Sequence, residues 1–579
     1  MPQRLNSWKE IAAYLGREVR TVQRWGAERE LPVHRLPGGD RPRVYALASE
    51  LDSWLSAGPV EERAPASIAV LPFMNLCGHK ENEYFSDGLA DEIINALTRI
   101  PGLRVSARTS AFAFRGKEQD VREIGQRLGV ATLLEGSVRR EANRVRISAQ
   151  LVSAQDGYHL WSECYERELS DIFAIQDELA RSIARALRVR LVPGPLVERM
   201  TEDPEAYDLW LKGRYLGLRY TQEDIAAARE CFEAAMARDP CFPLPYVSIA
   251  ELLFGAAELL QLSAAEARRA RQIVLKALEL NERLGEAHAL LGTLEGVMEY
   301  DWDSAGRAFE RAFELTPGSS TVLARHAWSF LVPQRRIPEA LEEMRRATAL
   351  DPLSPFLHTA LGLTWVVARE YQRGEAECRL AIDLAPGLWW PHWMLCTALT
   401  FDGKAEEAIA EALHARKIGG APGPPAALCC VYGLLGRAAE ARQCFEQVLD
   451  FARTTEIPPL AMAWACIGVE DERVFEWLDK AIDARDPSVA NLASMPIYDG
   501  IRGDPRFHTL LARIRINAPA QRWARERKST FRVPDHPTGM PWFEMIVRRR
   551  RRWPIRGSRA TSRERYPVFV PRQPLVERL

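Results

Sequence analysis

Within the first 43 residues, Arg20, Gln23, Arg35 and Arg41 carry the chemistry of base or phosphate recognition. A guanidinium fork pairs with the edge of guanine or with a phosphate, and a carboxamide can pair with adenine. Their spacing gives them a direction. Val22 and Trp25 mark the inward side of a helix starting near Val19 or Arg20, so Arg20, Thr21, Gln23 and Arg24 face outward. The competing reading makes these arginines the solvated face of a helical adaptor, although an adaptor needs neither a wing nor clustered arginines.

A helix can read a duplex only if another element sets its angle. Ser7 to Leu15 places Trp8, Ile11, Ala12 and Leu15 on one face, opens on a capping Ser with Glu10 three residues on, and stops at Gly16. Two short helices across a tight glycine turn predict a helix-turn-helix. Val33–Leu36, a Gly-rich basic tip from Pro37 to Arg43, and Val44–Leu47 then read as a strand, a loop and a returning strand, which is a wing. Residues 17–43 hold seven Arg against Glu18, Glu28, Glu30 and Asp40, so a single copy is expected to bind weakly and a homodimer on a two-fold site to bind better.

The series WKEIAAYLG, TVQRW, LPVHR, RVYAL and SELDSWL resembles the MerR and excisionase type of winged helix over about 55 residues. That resemblance implies that Thr21 and Arg24 lie at the base and phosphate interface and that Arg43 in the wing reaches the backbone of double-stranded DNA.

Ser56 to Ala66 is a small-residue, proline and charge-rich linker. The pattern then changes to strands at Ile68–Phe73, Leu103–Ala107, Thr132–Arg139, Val145–Val152 and His159–Tyr165, with helices at Gly88–Thr98, Val121–Leu128 and Ile172–Arg190. The order β-α-β-α-β-β-β-α predicts a layered α/β domain. IAVLPF, YFSDGLADEI, LRVSARTS, LLEGSVRR and VRISAQLVSAQDGYHLWSECYER resemble the TolB-like amino-terminal domain of bacterial regulators, which implies a fold and a setting but no chemistry. Asp87, Asp91 and Glu92 are read as carboxylates at a helix N-terminus rather than as metal ligands. His79 and His159 are read as surface or packing residues.

From 205 to 515 an offset pattern recurs. Ala228, Phe232, Ala235 and Pro240 are matched by Ala305, Phe309, Ala312 and Pro317; Ala340, Ala347, Pro352 and Gly374, Ala381, Pro386 keep its skeleton. The period is that of the tetratricopeptide (TPR) repeat, in which small residues let paired helices approach, the aromatic fills the gap and the proline ends the second helix. Ala267–Leu280 supplies one further second helix, and units continue around Trp390–Lys417 and Leu428–Leu449, giving about seven. Asp499–Ile514 reads as a cap. Such an α-solenoid presents a groove for a protein or peptide segment, or acts only as a spacer or dimer platform.

The expected architecture is therefore multidomain and mostly α: a winged helix at 1–57, a linker at 58–66, a small α/β domain at 67–190, a linker at 191–204, a helical solenoid at 205–515 and a tail at 516–579. That tail is basic, with sixteen Lys or Arg against five Asp or Glu from Arg522 onward, while the whole chain is almost neutral at −1. It reads as disordered with non-specific nucleic-acid affinity, or as a segment without a role. Ten scattered cysteines without a CxxC pair read as buried thiols of a reducing compartment. With no signal-peptide core and no long apolar span, a cytoplasmic protein without membrane association is expected. No phosphate loop, GxSxG, HExxH, strand-linked GxGxxG or kinase signature is present, so no catalytic residue, metal, cofactor or enzymatic activity is expected. A transcriptional regulator and a TPR scaffold that no longer binds DNA are the two functional expectations.

Overall fold

A computed structural model describes residues 4–16, 19–28, 31–36, 43–56, 66–77, 83–116, 119–141, 144–189, 196–217, 222–260, 264–419 and 426–516. The wing tip with Arg41, most of the 58–66 linker, His79 and the basic tail lie outside the described residues, and so do the side chains of Arg24, Trp25, Arg35 and Arg43. Among the described residues no helix is long and apolar enough to cross a membrane.

The N-terminal part comprises β1 (Arg4–Leu5), α1 (Trp8–Tyr14), α2 (Val19–Glu28), β2 (His34–Leu36), β3 (Arg43–Leu47) and α3 (Ala48–Ser56). Its antiparallel sheet has the order β1-β3-β2. The expected wing strands are present, and β1, which no pattern announced, adds a third. Leu5, Ile11, Ala12, Val22, Leu31, Val44, Ala46 and Leu51 form one small core.

The α/β domain follows the expected order, with two short additions. Its elements are β4 (Ser67–Val70), β5 (Met74–Asn75), α4 (Glu83–Thr98), β6 (Arg104–Val105), α5 (Arg108–Phe112), α6 (Val121–Leu128), β7 (Thr132–Glu141), β8 (Arg144–Ser153), β9 (His159–Glu168) and α7 (Ile172–Ala186). The sheet runs β6-β4-β7-β8-β9, parallel in its first part and antiparallel from β7 to β9, with β5 pairing β7. Leu89, Ile93 and Leu97 of α4 are buried as the periodicity predicts, but α4 begins one and a half turns earlier than Gly88. Asp87, Asp91 and Glu92 are consequently not N-terminal carboxylates stabilised by the helix dipole. They lie inside the helix and are compensated by arginines instead.

Eight helix hairpins follow among the described residues, rather than about seven. They are α8 (Pro204–Gly217) with α9 (Gln222–Arg238), α10 (Pro243–Leu260) with α11 (Ala264–Leu280), α12 (Gly285–Val297) with α13 (Trp302–Leu315), and α14 (Ser320–His326) with α15 (Ile337–Leu350). Then come α16 (Pro355–Val367) with α17 (Tyr371–Leu384), α18 (Trp389–Phe401) with α19 (Ala405–Gly419), α20 (Ala426–Leu434) with α21 (Ala438–Ala452), and α22 (Pro459–Gly468) with α23 (Val474–Asp483). A last helix, α24 (Pro505–Arg513), follows two 3-10 turns.

The repeat residues occupy the second helices, as the offset pattern requires. Ala228, Phe232, Ala235, Ala305, Phe309, Ala312, Ala340, Ala347 and Ala381 are buried, and Pro240, Pro317, Pro352 and Pro386 each follow the end of such a helix by two residues. A methyl group placed on Gly213 of α8 would come within 2.5 Å of the Phe232 ring, and one on Gly292 of α12 within 2.8 Å of Phe309. The aromatic therefore fills the gap that a glycine in the first helix leaves open.

Two expectations about boundaries change. The 191–204 stretch is packed from Leu196 onward: Leu196 is buried, and the Leu196 and Val197 amides donate to Asp177 Oδ1 at 2.5 and 3.0 Å. Moreover, one hydrophobic cluster runs from Ile68 and Leu89 through Ile183, Tyr207, Trp210 and Phe232 to Leu294. The α/β domain and the first hairpins thus share a core, because α4 packs directly on α8. Six of the cysteines are buried, Cys77 and Cys231 are half-buried, and Cys164 and Cys241 are exposed.

The face made by the first helices of the repeats is also partly filled from within. The Pro487–Asn491 turn contacts α10 and α12, and its Ala490 joins the shared core. Beyond it, Trp302 Nε1 donates to Ile514 O at 2.9 Å, Arg485 Nη1 to Met298 O at 3.0 Å, and Arg369 bonds Ser494 O and Asp499. Tyr300 lies in a core with Leu460, Leu478, Tyr498 and Phe507. The last hairpin is therefore bound back onto the third.

Candidate nucleic-acid interface

The geometry of the candidate interface starts at Ser7. Its hydroxyl accepts from the Glu10 amide at 3.2 Å while the Asn6 amide donates to Glu10 Oε2 at 2.9 Å, a reciprocal cap that fixes the start of α1. Ile11 and Ala12 of α1 and Val22 of α2 meet in the small core, which sets the angle between the two helices. At the other end, Tyr14 Oη donates to Asp52 Oδ1 at 2.8 Å, tying α1 to α3 and raising the tyrosine pKa.

With Val22 fully buried, the opposite side of α2 is open. Arg20 and Gln23 are exposed and Thr21 is half-buried. Positions 20, 23 and 24 fall within an arc of roughly 100° by the helical period, so the backbone puts Arg24 on the same face. The β2–β3 register pairs Arg35 with Val44 and Arg43 with Leu36, placing both arginines at the base of the wing. Arg41 falls within 37–42, outside the described residues.

The base of the wing is braced by contacts that sequence reasoning missed. His34 stacks on Tyr45 with 4.9 Å between centroids, its Nε2 lies 2.7 Å from Glu50 Oε2, and Arg4 places its guanidinium 3.8 Å over the same tyrosine. Arg4 is exposed and adds a cation beside the sheet. The available signal was an arginine directly before the buried Leu5.

The second charged locus joins α4 and α5 to the repeats. Arg214 of α8 bonds Asp91 Oδ2 at 2.6 Å and Glu92 Oε1 at 3.1 Å; Arg108 lies 3.5 Å from Asp91, and Arg115 pairs with Asp87. Burial pushes the Glu92 and Asp87 carboxyls above the usual range, against the pull of Arg214 and Arg115 respectively. Burial also opposes the charge of Arg214, but Asp91 and Glu92 outweigh it and hold the guanidinium above its ordinary pKa. Among the described residues no group of three His, Cys, Asp or Glu side chains is placed to hold a metal ion. This locus is a charge-compensated seam between two parts of the molecule.

Residues 64–182 match the family described as the HilA/YgeH-like transcriptional regulator, second domain. The chain is also similar to the "Putative adenylate cyclase 3" of Rhizobium meliloti (strain 1021), 40% identical over 235 residues. That match covers 40% of this chain, and the chain spans 38% of the length of that curated relative. Solved structures with similar helical repeats include YrrB, a TPR protein with an unusual peptide-binding site (20% identity, 34% of this chain and 95% of that one, TM-score 0.23), and the human IFIT1 dimer with m7Gppp-AAAA (16% identity, 56% and 76%, TM-score 0.38). The chain is mostly α, a TPR-like repeat protein carrying a domain like that of a transcriptional regulator.

Proposed function

We propose that this chain is a DNA-binding transcriptional regulator of the cytoplasm, using its N-terminal winged helix on double-stranded DNA and its repeats for a protein partner, without catalysing a reaction. The observation that carries the reading is the exposed Arg20–Gln23 face of α2, held between a capped α1 and a braced β-hairpin, in a chain whose next domain matches that of a transcriptional regulator. The resemblance of the first 55 residues to MerR and excisionase proteins, and of the α/β domain to TolB-like domains, supports the same assignment. The buried free thiols fit a reducing compartment.

Arg20, Gln23, Arg24, Arg35, Arg41 and Arg43 would contact bases or phosphate, with Thr21 at the edge of that face. The self-filled first and last repeats leave α16 and α18 for a partner, where exposed Phe356 lies 5.4 Å from the Trp390 ring. Selection of bound sequences from random duplex DNA by the full chain, followed by gel shifts across a salt series, tests the assignment. A regulator keeps a preferred sequence above about 150 mM salt, where purely electrostatic binding fades. A scaffold that does not read DNA yields no enriched sequence, and production of cyclic nucleotide from ATP by the pure protein would refute the non-enzymatic part.

A further inference from the structure

β9 ends the six-stranded sheet and pairs only with β8, through nine of its ten residues, with a bulge at Leu160 near its start. Along it Tyr165 alone is buried and Trp161 is half-buried; the rest are exposed. Among the described residues no backbone hydrogen bond reaches its outer edge. The bulge lies at one end, so Trp161–Glu168 remains a regular open edge and a template for another strand, since monomers ordinarily keep such edges short or covered.

The sequence of β9, HLWSECYERE, selects which strand. Opposed residues in an antiparallel pair share a face of the sheet, so pairing β9 with its own copy about Tyr165 sets position 163 opposite position 167 on each side of the axis. Exposed Glu163 then meets exposed Arg167 twice. Shifting the centre to Glu163 or Glu166 sets that glutamate against itself, and a centre at Cys164 leaves Glu163 facing Tyr165 and Arg167 facing Trp161. Pairing about Tyr165 is therefore the register with complementary charge, and it keeps the side covered by α7 on the same face in both copies. Each of the two residues would share or exchange one present contact to make these pairs. Glu163 accepts from the Tyr165 hydroxyl, and Arg167 lies 3.8 Å from the exposed Glu178.

The geometry points to a two-fold dimer in which two β9 strands pair antiparallel about Tyr165, joined by two Glu163–Arg167 ion pairs into one continuous sheet. This inference does not depend on what the N-terminal domain binds, although a two-fold pair of copies is what two DNA half-sites require.

Sedimentation of the full chain across a concentration series should show a reversible dimer. Glu163→Arg and Arg167→Glu should each raise the dimer Kd about ten-fold or more by placing like charges opposite one another, and the double exchange should restore it. In the same register Cys164 faces position 166, so Glu166→Cys should give disulfide-linked dimers under copper-phenanthroline oxidation, and adding Cys164→Ser should abolish them. The cross-linking arm decides the matter if a charge variant fails to fold. A chain that stays monomeric at every concentration, with β9 guarded by its own charges, overturns the inference. So does a dimer indifferent to both single exchanges and not cross-linked through position 166.

Discussion

Ser110 and Asp351 stand 241 residues apart in sequence and are bonded twice. The Ser110 amide and hydroxyl both donate to Asp351 Oδ1, at 2.9 and 2.5 Å, and the hydroxyl accepts from the Leu353 amide at 2.7 Å. Together with the bond from Ala107 N to Leu350 O at 3.0 Å, this fixes the start of α5 to the turn between α15 and α16. The α/β domain is thus held at a second place, through the same short helix α5 whose Arg108 belongs to the Arg214 seam.

Replacing Asp351 by Ala leaves the buried Ser110 donors without an acceptor and should destabilise the chain by about 2–3 kcal/mol. Asp351→Asn keeps the acceptor oxygen and should cost little. Burial holds the Asp351 carboxyl above its ordinary pKa, so its contribution is fully present below the ordinary carboxylate range and declines as pH rises through the folded value. Denaturant unfolding over that acidic range should show a pH dependence that the Asn variant partly loses.

On a selected DNA site, Arg24→Ala and Arg20→Ala should each cost roughly 1–3 kcal/mol and relax the preference at particular base pairs. Arg43→Ala should weaken all sequences alike and lower the salt dependence, as a phosphate contact does. Equal, sequence-blind losses from all three would show that α2 is not the reading helix.

Helices α20 and α22 touch backbone to backbone: a methyl group on Gly433 would come within 2.0 Å of Gly468 O. Gly433→Ala should therefore destabilise by about 3 kcal/mol or more, whereas Ala312→Leu in α13 should cost about 1–3 kcal/mol. Thermal unfolding of the full chain measures both, and an unchanged Gly433→Ala protein would mean that these helices do not cross here.

Buried histidines bridge three successive hairpins. His326, His358 and His392 place Nδ1 at 2.6, 2.7 and 2.7 Å from Glu343, Glu377 and Glu411. His358→Leu should cost about 1–3 kcal/mol, because Glu377 loses its partner in a largely buried setting. In a double-mutant cycle with Glu377→Gln the two losses should be clearly non-additive.

The second helices of the repeats were legible because their constraint is local: small residues at fixed offsets and a proline just past the helix end depend on one hairpin only. Helix α1 was legible for the same reason, through Ser7, Glu10 and Gly16, and the wing strands through the Gly-rich tip between two short apolar runs. The histidine–glutamate bridges were not, since each joins positions whose offset depends on the length of a turn and on the crossing of two helices. Asp91 was misread because its partner Arg214 belongs to another helix far along the chain, and nothing near Asp91 announces it. Likewise the eighth hairpin, α22 with α23, lacks the proline two residues past its second helix that marks the first, third, fourth and fifth.

An open string of repeats would fray from its free end, each unit resting on one neighbour and unzipping in turn. Here the bond from Trp302 to Ile514 and the packing of Tyr300 among residues of the last hairpin give the terminal units a second set of neighbours 160 to 212 residues upstream. Peeling away the end then also exposes the middle of the string. Loss of structure there becomes a matter of opening a clasp, all or none, rather than of progressive erosion.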